Sequence, residues 1–535
     1  MTAKEEISEA NITRTRLGWG AALAVLLLQF WSRYLPSPWA VFVADDWANW
    51  ARSSFFQTYA EAFSVGLQDP HRPLSMIAVN LGFQLLGNHA IYWTTISLVA
   101  NSLLLLFIMK MALELTASRF TAILTGIIFA LLPNLTETYH WSTQVLNEVS
   151  CALVPYALSG WLWVAYLRRG GAWRFVLSVV AFAIALFSYE AGILLPAAYL
   201  VLLPWRKARA KSVLLIAPIA AVVLLYFLWR ATNAFGLNHT WHYPPHMEGS
   251  LSLRGVIYNA WQLLHWWIGD HLFGAIRNGF DSFSTIPLWT RRFLFLANGV
   301  VVLLVGWGLR ALSNRSVVTT EAKTFSPLQI TGFTLIWAGA AMAMSLVSYT
   351  AGRLNVLPAI GLSVLLAFIF TALPIRKWAP ILFLPAFLAI LANQGTAESF
   401  RQAGALHQNL FDKMTETKDE WTAKQFLLID TRSLRERLTP GLLQPVGTAE
   451  ATWATYGNAL LIRGFVPNGM AKLITHESEP TVMILHDVEY GASIEGDQLI
   501  WHDRYNPART HTNSTKDLFA IECLPDPQWR ARKAQ

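Results

Sequence analysis

Val213–Trp229 reads VLLIAPIAAVVLLYFLW, and Leu354–Leu373 reads LNVLPAIGLSVLLAFIFTAL; neither run holds a charged residue. Runs of this length and polarity match the hydrocarbon thickness of a bilayer rather than the core of a soluble domain. The rest of the chain agrees. Of 535 residues, 54% are hydrophobic and 14% charged. With glycine added, the apolar share is about 60%, against roughly 45–50% in ordinary soluble domains. A soluble, disordered or fibrous protein is excluded. Two cysteines, Cys151 and Cys523, are too few for a disulfide scaffold or a multi-cysteine metal cluster.

Working outward, the candidate spans are Leu17–Leu35, Ile91–Leu113, Phe120–Leu135, Val145–Leu167, Trp173–Ser188, Gly192–Leu203, Ser212–Ala231, Phe293–Leu312, Ile330–Tyr349, Leu354–Leu373 and Trp378–Asn393. Met1–Arg16 is polar, and Leu17–Leu35 lacks a small-residue cleavage site, so it reads as a retained first span. Tryptophans near span ends, such as Trp31, Trp173, Trp205 and Trp378, suit an interfacial belt. With the N-terminus inside, Arg14, Arg16, Lys110, Arg119, Arg168, Arg169, Arg206–Lys211, Arg310 and Arg376-Lys377 share one side, which short-loop charge bias makes cytoplasmic. The net charge of +8 therefore reports topology, and no nucleic-acid partner is expected. The pattern holds only if Arg72–Gly87 stays out of the membrane. Its stripe Leu74, Ile77, Ala78, Leu81 and Leu85 suits a helix lying at the interface.

The expected fold is mainly α. It is a polytopic transmembrane helical bundle of about 11 spans, N-terminus in and C-terminus out, with a small extracytoplasmic C-terminal domain of mixed α/β or β structure. The transmembrane part covers residues 1–395, with a long first outer loop at 36–90, and the C-terminal domain covers 396–535. Strands are expected at Gln425–Ile429, Ala459–Ile462, Thr481–Leu485, Gln498–Trp501 and Leu518–Ile521, with Pro467-Asn468-Gly469 as a turn signal.

This topology gathers polar groups on the outer face: Asp45-Asp46, His71-Arg72-Pro73, Glu137, His140, Glu148, Tyr189-Glu190, Arg230 and Arg353. Ionisable groups near spans are costly, which makes them functional candidates. Adjacent carboxylates such as Asp45-Asp46 repel each other and suit a general base or a divalent-cation site. Asp46 could instead cap a helix starting at Trp47 while Asp45 points elsewhere. His239, His242 and His246 have a spacing that zinc could use, but Pro244-Pro245 breaks any helix that would align them. His265, Trp266, Trp267, Asp270 and His271 could line a groove, although an interfacial helix needs tryptophan anyway.

Asp45-Asp46 in a long first outer loop, followed by His71-Arg72-Pro73-Leu74, resembles the GT-C superfamily of membrane glycosyltransferases, which includes protein O-mannosyltransferases and the lipid A aminoarabinose transferase. Pro133-Asn134-Leu135-Thr136-Glu137, Phe187-Ser188-Tyr189-Glu190-Ala191 and Gly352-Arg353-Leu354-Asn355-Val356-Leu357-Pro358 are similar to motifs of transmembrane O-mannosyltransferases that carry tetratricopeptide repeats. The resemblance spans roughly Leu17–Asn393; the strand-like C-terminal part departs from it.

It implies an inverting transfer from a polyprenyl-phosphate sugar to a protein, lipid or glycan acceptor on the periplasmic face of a bacterial inner membrane. Asp45 or Asp46 would be the base. Arg72, Arg230 and Arg353 would hold the phosphate, and His71, Glu137, His140, Tyr189 and Glu190 would bind or orient substrates. Two other readings stay open: a transporter or flippase for a lipid-linked glycan, and a non-catalytic membrane subunit presenting the C-terminal domain.

Overall fold

The computed structural model describes residues 3–39, 41–43, 45–69, 71–135, 137–203, 209–236, 275–313, 325–347, 356–372, 379–431, 465–486, 492–502, 509–524 and 528–533, with positions 257 and 261. The protein is a transmembrane helical bundle with a small strand-containing region at its C-terminal end. Each of the eleven candidate spans overlaps a helix or a helical turn. Ala90–Thr116, Ser142–Arg169, Ser212–Thr232 and Leu288–Leu312 are long and apolar enough, by length and composition, to cross a membrane.

Local chemistry fixes how these helices connect. The helix Val154–Arg169 ends at Gly170 and Gly171, whose φ angles of 72° and 93° are ones that glycine adopts without a Cβ penalty. The chain therefore reverses at once into Ala172–Ser188. At the same end, the buried Glu114 carboxylate pairs with Arg168 at 3.4 Å and Arg169 at 2.5 Å. That ties Ala90–Thr116 to Val154–Arg169. The bundle core is aromatic: Trp163 stacks on Tyr199 with centroids 5.1 Å apart, and Trp337 packs beside Phe333 and Tyr199.

The opposite end is tied by a buried arginine. Arg33 Nε donates to the Ala130 carbonyl at 3.2 Å, and its other nitrogens donate to the Leu132 carbonyl and, at 3.0 Å, to Asn393 Oδ1. A guanidinium at the C-terminal end of helix Arg119–Leu131 satisfies carbonyls that the helix cannot pair internally. One side chain thus joins the first helix, Arg119–Leu131 and the long helix Ala379–Glu416.

That long helix runs without a break through position 395, where the polar C-terminal part begins. Beyond it, β1 (Phe426–Asp430), β2 (Met483–His486), β6 (Leu518–Cys523) and β7 (Trp529–Lys533) form a sheet in the order β2-β1-β6-β7, parallel except for the β6–β7 pair. A second, antiparallel sheet holds β3 (Ser493–Glu495), β4 (Gln498–His502) and β5 (Thr510–Ser514). The expected strand Ala459–Ile462 lies outside the described residues. Pro467-Asn468-Gly469 is not a turn: it lies in the helix Phe465–Thr475. Proline in a first helical turn loses no hydrogen bond, and Gly469 is there for close packing. The core of this region includes Trp47 from the helix Asp45–Ser54, together with Leu410, Met414, Trp421 and Met470.

The helices Ala275–Ser284 and Ala379–Glu416 cross at glycine. A Cβ at Gly395 would collide with the Gly279 carbonyl and lie 2.8 Å from the Phe283 nitrogen, whereas one at Gly299 would meet nothing within 4 Å. Gly395→Val is expected to destabilise the purified protein by about 1–3 kcal/mol through overpacking. The thermal midpoint in detergent reads this, with Gly299→Val as the unchanged control.

Candidate active site

The site begins with the separation of the aspartate pair. Both residues open the helix Asp45–Ser54, yet their side chains have different surroundings. Asp46 is fully buried. Its Oδ2 accepts from the Val43 amide at 2.9 Å, and its Oδ1 accepts from the Thr143 amide at 2.7 Å and from the Thr143 hydroxyl. Burial pushes the Asp46 carboxyl up to about 8, against the pull of these donors. Both oxygens are occupied by protein donors, which leaves Asp45, half-buried, to line a cleft of about 220 Å³; among the described residues it joins no cluster of three metal-ligating side chains.

The opposite wall comes from the helix Pro73–Leu86. Asp69 Oδ1 accepts from the amides of His71 and Arg72 at 2.9 and 2.6 Å, fixing the chain before the helix. Ser75 Oγ sits 2.9 Å from the Asn147 carbonyl and 2.7 Å from that of Ser188, so the helix start is held at a junction of three elements. Arg72, a cleft residue, donates from Nε to Glu190 Oε2 at 3.0 Å and from Nη2 to Glu190 Oε1 at 3.1 Å. Its guanidinium lies 4.0 Å from the centroid of the Tyr189 ring. A bidentate carboxylate and an aromatic face together fix the plane of this cation. Burial alone would raise the Glu190 carboxyl, but the adjacent guanidinium overrides it and holds the group below its ordinary value.

The floor is a π-helix, Val145–Leu153, entered from Ser142–Gln144. Such turns shift the side-chain register and recur at functional sites. Gln144, Asn147 and Glu148 share one face by spacing, and all three line the cleft with Thr143 and Asn49. Gln144 Oε1 and Asn147 Oδ1 are buried and have no hydrogen-bond partner among the described residues. The cleft therefore offers carboxylates, amide acceptors and one oriented cation.

The structure brings together Asp45, Arg72, Tyr189 and Glu190. His71 adjoins them: its carbonyl accepts from the Tyr226 hydroxyl at 3.3 Å, and burial and then the Arg230 charge lower its imidazole pKa. His140 does not line the cleft. It is buried, its Nε2 donates to the Arg33 carbonyl at 2.7 Å, its ring stacks on Phe400, and burial takes its pKa down to about 4. The Glu137 side chain, Arg353, His239, His242, His246, His265, Trp266, Trp267, Asp270 and His271 lie outside the described residues. Sequence reading missed Asn49, Thr143, Gln144 and Asn147 as cleft residues. The one signal was a set of polar side chains at helical spacing entering an apolar span.

No family model matches the chain, and no curated protein matches it. Among solved structures it is similar to the crystal structure of ArnT from Cupriavidus metallidurans in the apo state, with 13% sequence identity, a TM-score of 0.32, and coverage of 83% of this chain and 88% of that one.

Asp46→Asn places an amide donor against an amide donor at Val43 or Thr143, and is expected to destabilise the protein by about 1–3 kcal/mol. The wild-type carboxyl has a folded pKa above its unfolded value, so its contribution is largest at acid pH and is lost as pH rises from about 4 to about 8. The stability gap between wild type and variant should therefore narrow across that window in pH-resolved thermal unfolding. A gap that widens would contradict the assignment.

Proposed function

We propose that the chain is a membrane glycosyltransferase of GT-C type that moves a sugar from a polyprenyl-phosphate donor to an acceptor at the extracytoplasmic face. One observation carries the reading: a carboxylate, Asp45, and an immobilised guanidinium, Arg72, line the same cleft. The sequence motifs around both residues support it.

In the proposed reaction, Asp45 accepts the proton of the acceptor's nucleophile, which forms a bond to the anomeric carbon from the side opposite the phosphate. The anomeric carbon–oxygen bond breaks with inversion, and its electron pair leaves with polyprenyl phosphate. Arg72 stabilises the charge that grows on the departing phosphate; Glu190 and Tyr189 hold it in place beforehand, so no reorganisation is needed at the moment of reaction. Arg230 and Arg353 would add positive charge on the phosphate side. Gln144 Oε1 and Asn147 Oδ1 would accept from sugar or acceptor hydroxyls, and Glu137 and His71 would border the substrates. The isoprenoid tail would lie between spans, in contact with membrane lipids, with the protein in a bacterial inner membrane and the cleft facing the periplasm.

The test separates the two aspartates. Asp45→Asn should lower transfer from a polyprenyl-phosphate sugar by about 10²–10⁴-fold, the usual worth of a general base, with an unchanged thermal midpoint. Full transfer in that variant would exclude Asp45 as the base. Donor binding without turnover in either protein, with every acceptor class supplied, would move the assignment to a carrier of lipid-linked glycans.

A further inference from the structure

The segment carrying Asp45 is gripped from its far side by the C-terminal region. Val41 pairs with Trp141 and hydrogen-bonds through its amide to the His140 carbonyl at 3.0 Å. On the other side stand the helices Ala379–Glu416 and Phe465–Thr475. They approach so closely at two points that only glycine fits. A Cβ at Gly469 would lie 2.7 Å from the carbonyl carbon and oxygen of Trp47 and 2.8 Å from the Ala48 nitrogen. A Cβ at Gly404 would lie 2.6 Å from that of Val41. Between these points His407 Nδ1 sits 3.3 Å from the Phe42 carbonyl oxygen, and Trp47, 1% exposed, stacks on Phe411 with centroids 5.1 Å apart. None of Gly404, His407, Phe411 and Gly469 lines the cleft. Asp45 stands two residues before Trp47 in the same helix, and the cleft residue Asn49 stands two after it.

We infer that the C-terminal region is a positioning element of the site: the close approach of Gly469 and Gly404 sets where the Asp45 carboxylate stands in the cleft. The inference rests on the proposed reaction for its catalytic consequence. At Gly469 the neighbour is backbone, which cannot swing aside as a side chain can, so a methyl group there must shift the helices Asp45–Ser54 and Phe465–Thr475 relative to each other. Packed interiors transmit such shifts rather than absorb them, and a misplacement of about 1 Å at a reacting group costs about 10²-fold. The acceptor-facing carboxylate is thus governed by a region whose own sheets lie beyond the bundle.

The test uses the full-length chain in detergent. In Gly469→Ala, the backbone amides of Asp45–Ser54 should exchange hydrogen about tenfold faster than in wild type, while those of Pro73–Leu86 are unchanged. Turnover per donor-binding site should fall roughly ten- to a hundredfold with KM for the polyprenyl-phosphate sugar held within about twofold, and the acidic limb of the kcat/KM pH profile should move. A purely structural role would leave the limb in place and scale the whole profile. Unchanged exchange in Asp45–Ser54, or uniform scaling, would overturn the inference. If Gly469→Ala does not fold, Gly404→Ala must give the same effects and Val41→Gly, which removes the overlapping Cβ, must reverse them; no reversal also overturns it. If the wild type transfers no sugar, the proposed function fails, and hydrogen exchange alone decides whether the C-terminal region positions the segment.

Discussion

The buried Asp46 carboxyl group is the contact on which the site depends. It takes amide hydrogens from Val43 and Thr143 and the Thr143 hydroxyl, so it joins the segment after the first helix to the entrance of a π-helix almost a hundred residues later. A carboxyl without solvent is costly unless donors surround it, and these donors are available in one arrangement of the two segments. Once that arrangement is set, the neighbouring Asp45 is left at the cleft, with Gln144, Asn147 and Glu148 beneath it.

The arginines divide in the same way. Arg33 is buried and spends its donors on helix-end carbonyls and Asn393, which makes it a tie between helices. Arg72 is also anchored, by Glu190 and Tyr189, but it lines the cleft. Its anchoring removes rotamer freedom before any ligand arrives, which lowers the entropy a bound anion must overcome. A residue's type therefore does not give its role here; the destination of its donors does.

Several of these features were legible in the sequence. Uncharged runs such as Val213–Trp229 have the length and polarity of spans, and polar pairs such as His71-Arg72 and Tyr189-Glu190 are conspicuous beside them. Asp46 was expected to cap a helix from Trp47 with Asp45 pointing elsewhere; the helix instead starts at Asp45, and Asp46 accepts from Val43 and Thr143, a partner hidden because Thr143 is distant in sequence. The amide acceptors at 144 and 147 stand at helical spacing with Glu148, but the sequence does not show that this turn meets Asp45 and Arg72, which come from a distant segment. Pro467-Asn468-Gly469 misled for a related reason. Local turn preference is weak beside the burial of Trp47 against the helix that contains those residues. His140 looked like a site residue because it is ionisable and close to a span; its buried contact to the Arg33 carbonyl instead serves the same helix-end network.

The most direct measurement is an electron cryo-microscopy map of the full-length protein with a non-hydrolysable polyprenyl-phosphonate sugar. The account predicts phosphonate oxygens at hydrogen-bonding distance, about 3 Å, from the Arg72 guanidinium, with the anomeric carbon on the Asp45 side of the cleft. A sugar phosphonate bound away from the cleft, or one whose anomeric carbon faces away from Asp45, would contradict it.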